Sequence, residues 1–209
     1  MKNYVITVAR GFGSGGKEIS SKLSEVLGIP FYDKEILEMA SEMSGIHKSS
    51  FEEVDEKLRK SNLVKIFHAY RGKKDYVAQP EGKDFRSDDN LFQLQSQVIR
   101  RLAETESCIV IGKCADYVLK DYDNVISVYI EAPRRACLKS VMKKLNVDEW
   151  KAAKMIEKTD KFRADYYRYY TGNNWTNPIN YDFTLNSDKI GRDKCVKLIQ
   201  AYVDIRFGE

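Results

Sequence analysis

The segment Gly11-Phe12-Gly13-Ser14-Gly15-Gly16-Lys17 constrains this chain more than any other. It follows the apolar run Tyr4-Val5-Ile6-Thr7-Val8-Ala9 and contains the spacing G-x-x-x-x-G-K, the loop that joins a strand to a helix and cradles phosphate. Glycines let the backbone turn its N–H groups inward into a concave anion nest. The helix that follows aims its positive end at the same point, and a lysine at the loop's end reaches the terminal phosphates. After Lys17, Ile19, Leu23, Val26 and Leu27 recur on one helical face. Gly28 then ends the helix, with Pro30 beyond it. The loop departs from the usual form at one point. Glu18 and Ile19 stand where a Ser or Thr hydroxyl would ligate magnesium, and the first hydroxyl is Ser20. The bland alternative is a glycine turn that holds no phosphate.

Short apolar runs at Tyr4–Ala9, Ile29–Tyr32, Cys108–Gly112, Val125–Ile130 and Tyr181–Leu185 read as buried strands, separated by helical patterns. That alternation predicts an α/β fold, a parallel sheet flanked by helices. A length of 209 residues suits one domain. Its core would comprise residues 1–32, 107–145 and 181–209, with helical insertions at 33–106 and 146–180. In the first insertion, helices are expected over Lys34–Ser44, Phe51–Lys60 and Leu91–Ala103, with an exposed, mobile stretch at Arg71–Asn90. In the second, Asn146 with Glu149 has the spacing of a capping box, opening a helix that carries Trp150, Ala153 and Ile156. Such insertions suit phosphoryl transfer, which must exclude water.

Composition excludes several classes. A net charge of +4 fits an anionic ligand but is too small to imply nucleic acid by itself, and no helix-turn-helix, RNA-recognition or zinc pattern is present. No apolar run approaches the roughly 20 residues that span a membrane, and the polar N-terminus is unlike a signal peptide, so a cytoplasmic location is expected. Cys108, Cys114, Cys137 and Cys195 form no C-x-x-C pair. With only His47 and His68 beside them, a zinc site or a triad hydrolase is a poor fit. Scattered cysteines of this kind are expected to be buried and free.

Taken in order, six segments resemble the cytidylate kinase-like branch of nucleoside monophosphate kinases. They are Val8-Ala9-Arg10 with the glycine loop through Ile19, Pro30-Phe31-Tyr32-Asp33-Lys34-Glu35-Ile36, Ile109 to Asp116, Ile130-Glu131-Ala132-Pro133-Arg134-Arg135, Asp160-Lys161-Phe162-Arg163-Ala164 and Tyr181 to Asn186. The resemblance implies a P-loop fold with a five-stranded parallel sheet, an acceptor-binding region and a lid. The implied reaction moves the γ-phosphate of ATP to a nucleoside monophosphate, CMP or dCMP, with magnesium accompanying ATP and no identifiable protein ligand for the metal. It places Gly11, Gly13, Ser14, Gly15, Gly16, Lys17 and Glu18 around the ATP phosphates, and Asp33 and Lys113 at the acceptor.

Asp33 reads equally as the N-cap of the helix after it. Lys113 stands where such kinases usually carry Arg, and a point charge replaces a bidentate fork. Arg134 and Arg135 follow Pro133 at a helix start, where positive charge opposes the dipole. That conflict points to phosphate binding by Arg134, against two solvated arginines. Lys161 and Arg163 match the lid pattern and would stabilise the transferring phosphoryl group, against an exposed basic helix. Tyr166, Tyr167, Tyr169 and Tyr170 could stack on a base or pack the lid on the body. The basic residues Lys57, Arg59, Lys60, Lys65, Arg71, Lys73 and Lys74 read as a solvated face. A phosphotransferase with a non-nucleotide acceptor and a nucleotide-binding regulator without catalysis are the competing readings.

Overall fold

The computed structural model describes residues 3–44 and 88–208. The helix expected at Phe51–Lys60, both histidines and the basic cluster from Lys57 to Lys74 lie outside the described residues, as does most of Arg71–Asn90.

Five strands form one parallel sheet in the order β2-β3-β1-β4-β5. They are β1 (Val5–Arg10), β2 (Phe31–Tyr32), β3 (Cys108–Ile111), β4 (Val125–Glu131) and β5 (Phe183–Asn186). The central strand β1 is aligned with β3 from Val5↔Cys108 to Val8↔Ile111 and with β4 from Val5↔Val125 to Arg10↔Ile130. Its position explains its composition. A strand covered on both faces reads as a continuous apolar run, and Val5 to Ala9 are all buried.

Alternation then divides the core in two. Ile6 and Val8 point to one face with Ile109, Ile111, Ile126, Val128 and Ile130. There they meet Ile19 and Leu23 of α1 (Gly16–Leu27) and Val196 and Ile199 of α8 (Arg192–Phe207). Ile19 and Leu23 are fully buried, each worth about 1.5–3 kcal/mol. Val5, Ala9, Val110 and Tyr129 face the other side, covered by α2 (Glu35–Ser44), α3 (Asp88–Thr105) and the short α4 (Ala115–Val118). Two further helices, α5 (Arg134–Leu145) and α6 (Glu149–Thr171), pack through Cys137, Val141, Ala152 and Ile156. The one-turn α7 (Ser187–Ile190) follows β5. No helix among the described residues is long and apolar enough to cross a membrane. All four cysteines are buried and free.

The helix termini show where local sequence rules held. Gly28 ends α1 in the left-handed conformation, its N–H on the Ser24 carbonyl, as its position predicts. The capping box expected at Asn146 is a correction. Asn146 is instead the left-handed end of α5, its N–H on the Met142 carbonyl, and Asp148 caps α6 by accepting from the Lys151 N–H at 2.7 Å. Two cap-forming residues, separated by Val147, divide the work of ending one helix and starting the next. Trp150 of this helix is exposed, while Ala152 and Ile156 are buried.

Candidate active site

The carboxyl ends of the strands open into one cleft of about 1570 Å³, where open α/β sheets place their ligands. The loop after β1 forms its floor. Gly13 and Gly15 have φ of 90° and 84°, which only glycine adopts without strain. A Cβ on Gly13 would also lie 2.8 Å from the Cys137 carbonyl oxygen of α5. Ser14 is buried and braces the loop. Its hydroxyl donates to the Gly11 carbonyl at 2.9 Å, and its own carbonyl accepts from Ser187 at 2.6 Å. Gly11, Gly13, Gly15, Gly16, Lys17 and Glu18 all line the cleft.

Across the loop stands Asp33, beyond β2. It does not cap α2 with its side chain. Its carboxylate accepts from Lys17 Nζ at 2.7 Å and faces Arg10 Nη2 at 3.7 Å. Burial alone would raise its pKa, but the Lys17 hydrogen bond and the charges of Arg10, Lys17 and Lys113 outweigh it, so the carboxyl sits below its usual value. After β3 the chain makes three successive left-handed residues, Gly112 (φ 66°), Lys113 (58°) and Cys114 (53°). For the two that are not glycine this costs about 1–2 kcal/mol each, and the turn sets Lys113 in the cleft beside Asp33. Such strain is characteristic of functional positions.

The third wall is α6, an unbroken helix that crosses the cleft. Asp160 accepts from the Phe12 N–H at 2.8 Å, tying the helix to the loop. Arg163 donates to the Arg10 carbonyl at 2.9 Å and to Asp160 at 3.1 Å, and its guanidinium lies 5.8 Å from the Phe12 ring centroid. Burial pushes the Asp160 carboxyl up and the Arg163 guanidinium down, and their mutual attraction opposes both shifts. One turn on, the Tyr167 hydroxyl donates to the buried Asp116 at 2.6 Å. Burial raises Asp116 to about 6, against the Tyr167 hydrogen bond and two backbone N–H groups that favour its charged form. Asp116, Tyr166, Tyr167 and Trp175 line the cleft on the side of Lys113. The tyrosines also pack: Tyr170 stacks on Phe92 of α3 at 4.0 Å, and Tyr166 meets the same ring edge-on.

Two residues expected at the site are placed away from it. Lys161 does not line the cleft. It is exposed and pairs with Asp165 at 2.9 Å. Two positions along a helix turn the side chain through about 200°, so Lys161 and Arg163 cannot share a face. Arg134 is also exposed and outside the cleft, where it donates to the Ala153 carbonyl at 2.9 Å and fastens α5 to α6. Sequence reasoning gave no role to Arg10, Asp160, Trp175 or Arg192. The missed signal for Arg192 is the one applied to Arg134, a positive charge at the first position of a helix.

Among the described residues, no three His, Cys, Asp or Glu side chains cluster to hold a metal ion. The Ser20 hydroxyl donates to the Gly16 carbonyl at 2.9 Å, and the Asp33 carboxylate is engaged by two cations.

The model of the cytidylate kinase-like family matches residues 5–189. The chain belongs to this family. Membership supports a phosphotransferase of the kinase type. The chain is also similar to the crystal structure of an uncharacterized protein from Eubacterium ventriosum, with 28% identity, a TM-score of 0.72, and 98% of this chain and 100% of that one covered. It shares its fold with shikimate kinase from Bacteroides thetaiotaomicron, at 10% identity and a TM-score of 0.51, covering 96% and 98% of the two chains. No match to a curated protein accompanies these. The five-stranded P-loop fold expected from the sequence is the fold observed.

Proposed function

We propose that this cytidylate kinase-like protein transfers the γ-phosphate of ATP, taken as its magnesium complex, to a nucleoside monophosphate, CMP or dCMP. One observation carries the proposal. The glycine loop and Lys17, Asp33 and Lys113, and Arg163 converge on a single cleft. A protein that only bound ATP would need the first set and not the other two.

In this scheme the loop N–H groups and Lys17 hold the donor phosphates. Lys113 meets the acceptor phosphate, and Asp33, on the acceptor side, orients Lys17 of the donor site and Arg10. Arg163 is fixed by Asp160 and the Arg10 carbonyl, so it offers preorganised positive charge where the phosphoryl group passes. Tyr166, Tyr167 and Trp175 give a base an aromatic wall, and Asp116 accepts from an amino or hydroxyl group.

A phosphotransferase with a non-nucleotide acceptor is the second reading, favoured by Lys113, which grips phosphate through a single point. A panel of nucleoside monophosphates and small phosphorylated and hydroxylated acceptors, each given with ATP and magnesium, separates the two. Turnover confined to CMP and dCMP is expected. Turnover with a non-nucleotide acceptor alone would move the assignment to the second reading.

A further inference from the structure

Glu18 breaks the usual rule for a phosphate loop, because it sets a negative charge directly after the lysine that must meet phosphate. The structure supplies its partner from the far end of the chain. Arg192, the first residue of α8, forms an ion pair through Nη1 with Glu18 Oε2, and its Nη2 donates to Ser140 Oγ of α5 at 3.1 Å. The guanidinium lies directly over the loop: a Cβ on Gly15 would sit 2.6 Å from Arg192 Nε. Gly15 is needed for its positive φ, and a side chain there would displace the guanidinium. Arg192 lines the cleft together with Lys143, Lys144 and Lys158, so cations from three helices ring this end of it. The Glu18 and Arg192 side chains are 44% and 37% exposed. A pair so exposed contributes little to folding.

We propose that Arg192 binds the donor phosphates and that Glu18 is its positioning residue. The arrangement adds to the loop a charged arm brought from α8, and the class of ligand is a nucleoside triphosphate. A guanidinium over the nest offers a phosphate group parallel N–H donors for two of its oxygens. Ser140 on one side and Glu18 on the other fix the side chain before the ligand arrives, which lowers the ordering cost of binding. The sequence departure at Glu18 and the arginine at Arg192 are then one feature.

This inference rests on the donor assignment above, and the test keeps the two apart. Binding of ATP and of inorganic tripolyphosphate, without acceptor, is measured by calorimetry for the wild type, Lys17→Ala, Arg192→Ala, Arg192→Lys and the double variant Glu18→Gln/Arg192→Ala. Arg192→Ala should weaken both ligands roughly ten- to hundredfold, with Arg192→Lys intermediate. The double variant should recover part of the loss, because the unpaired Glu18 charge is gone, without reaching wild type. Wild-type affinity in Arg192→Ala overturns the proposal. Full recovery in the double variant also overturns it, since Arg192 would then only neutralise Glu18. A loss in Lys17→Ala without one in Arg192→Ala sinks this inference alone. Wild-type affinity in both single alanine variants, or no binding by the wild type, sinks the donor assignment with it.

Discussion

The glycine loop and helix α6 are joined by the hydrogen bond from Phe12 N–H to Asp160, yet they are built on different principles. The loop acts through its backbone. Its conformation follows from adjacent residues, and its contacts to Ser187 and Cys137 only hold a shape that Gly13 and Gly15 already permit. Helix α6 acts through side chains whose usefulness depends on which face they occupy. Asp160, Arg163 and Tyr167 lie on the buried face, at intervals of three and four residues, while Lys161 and Arg168 fall outside it. A motif carried by backbone can be read from spacing alone, whereas a motif carried by a helix needs the identity of its buried face as well.

The comparison breaks most readily in the loop. Gly13→Ala introduces a Cβ both at a positive φ and 2.8 Å from the Cys137 carbonyl. It should cut phosphoryl transfer about 10²–10³-fold, a loss of the order seen when a preorganised donor is removed. Parallel measurement of ATP binding and circular dichroism would show a folded protein with a displaced loop. Unchanged ATP affinity would mean that the loop does not hold the phosphates.

Arg163→Ala comes next. It removes the charge offered to the phosphoryl group and leaves Asp160 without its ion-pair partner. A fall in kcat of about 10²-fold with a modest change in ATP affinity is expected. Steady-state kinetics with wild-type kcat would reduce Arg163 to an anchor for α6.

Asp116 sharpens the comparison through pH. Its folded pKa of about 6 lies above its ordinary 3.8. Between those values the native state binds the extra proton, so stability falls as pH rises through that window and levels off above it. Asp116→Asn should flatten this slope, which amounts to at most about 3 kcal/mol for a shift of this size. Denaturant titrations from pH 4 to pH 7 on the two proteins measure it. A slope unchanged in the variant would place the titration elsewhere.

The smallest effect belongs to Lys161→Ala. An exposed i,i+4 pair with Asp165 contributes about 0.3–0.5 kcal/mol, so kcat should stay within about twofold of wild type and the loss of stability should be barely measurable. A kcat loss comparable with that of Arg163→Ala would require α6 to rotate during the reaction, contradicting the division of its faces.

Much of the fold was legible because its signals are local. The five apolar runs became the five strands in order, and Gly28 ended α1 as its position required. The strand order was not legible in itself, since periodicity places side chains and says nothing about neighbours. The site was legible at Lys17 and the glycines, where adjacent residues set the geometry. It was not legible at Arg192, Asp160 or Asp116, whose partners are 174, 148 and 51 residues away. The dipole-conflict rule selected Arg134, which is spent on the Ala153 carbonyl, because the rule identifies a cost without identifying what offsets it.

The most direct test of the account is transfer of label from γ-labelled ATP to CMP, in the presence of magnesium, by the wild type and by Lys17→Ala. The account predicts labelled CDP from the wild type, dependent on CMP, and none above background from Lys17→Ala, which retains the wild-type circular dichroism spectrum. Transfer at the wild-type rate by Lys17→Ala, or release of inorganic phosphate by the wild type with no labelled acceptor, would contradict it.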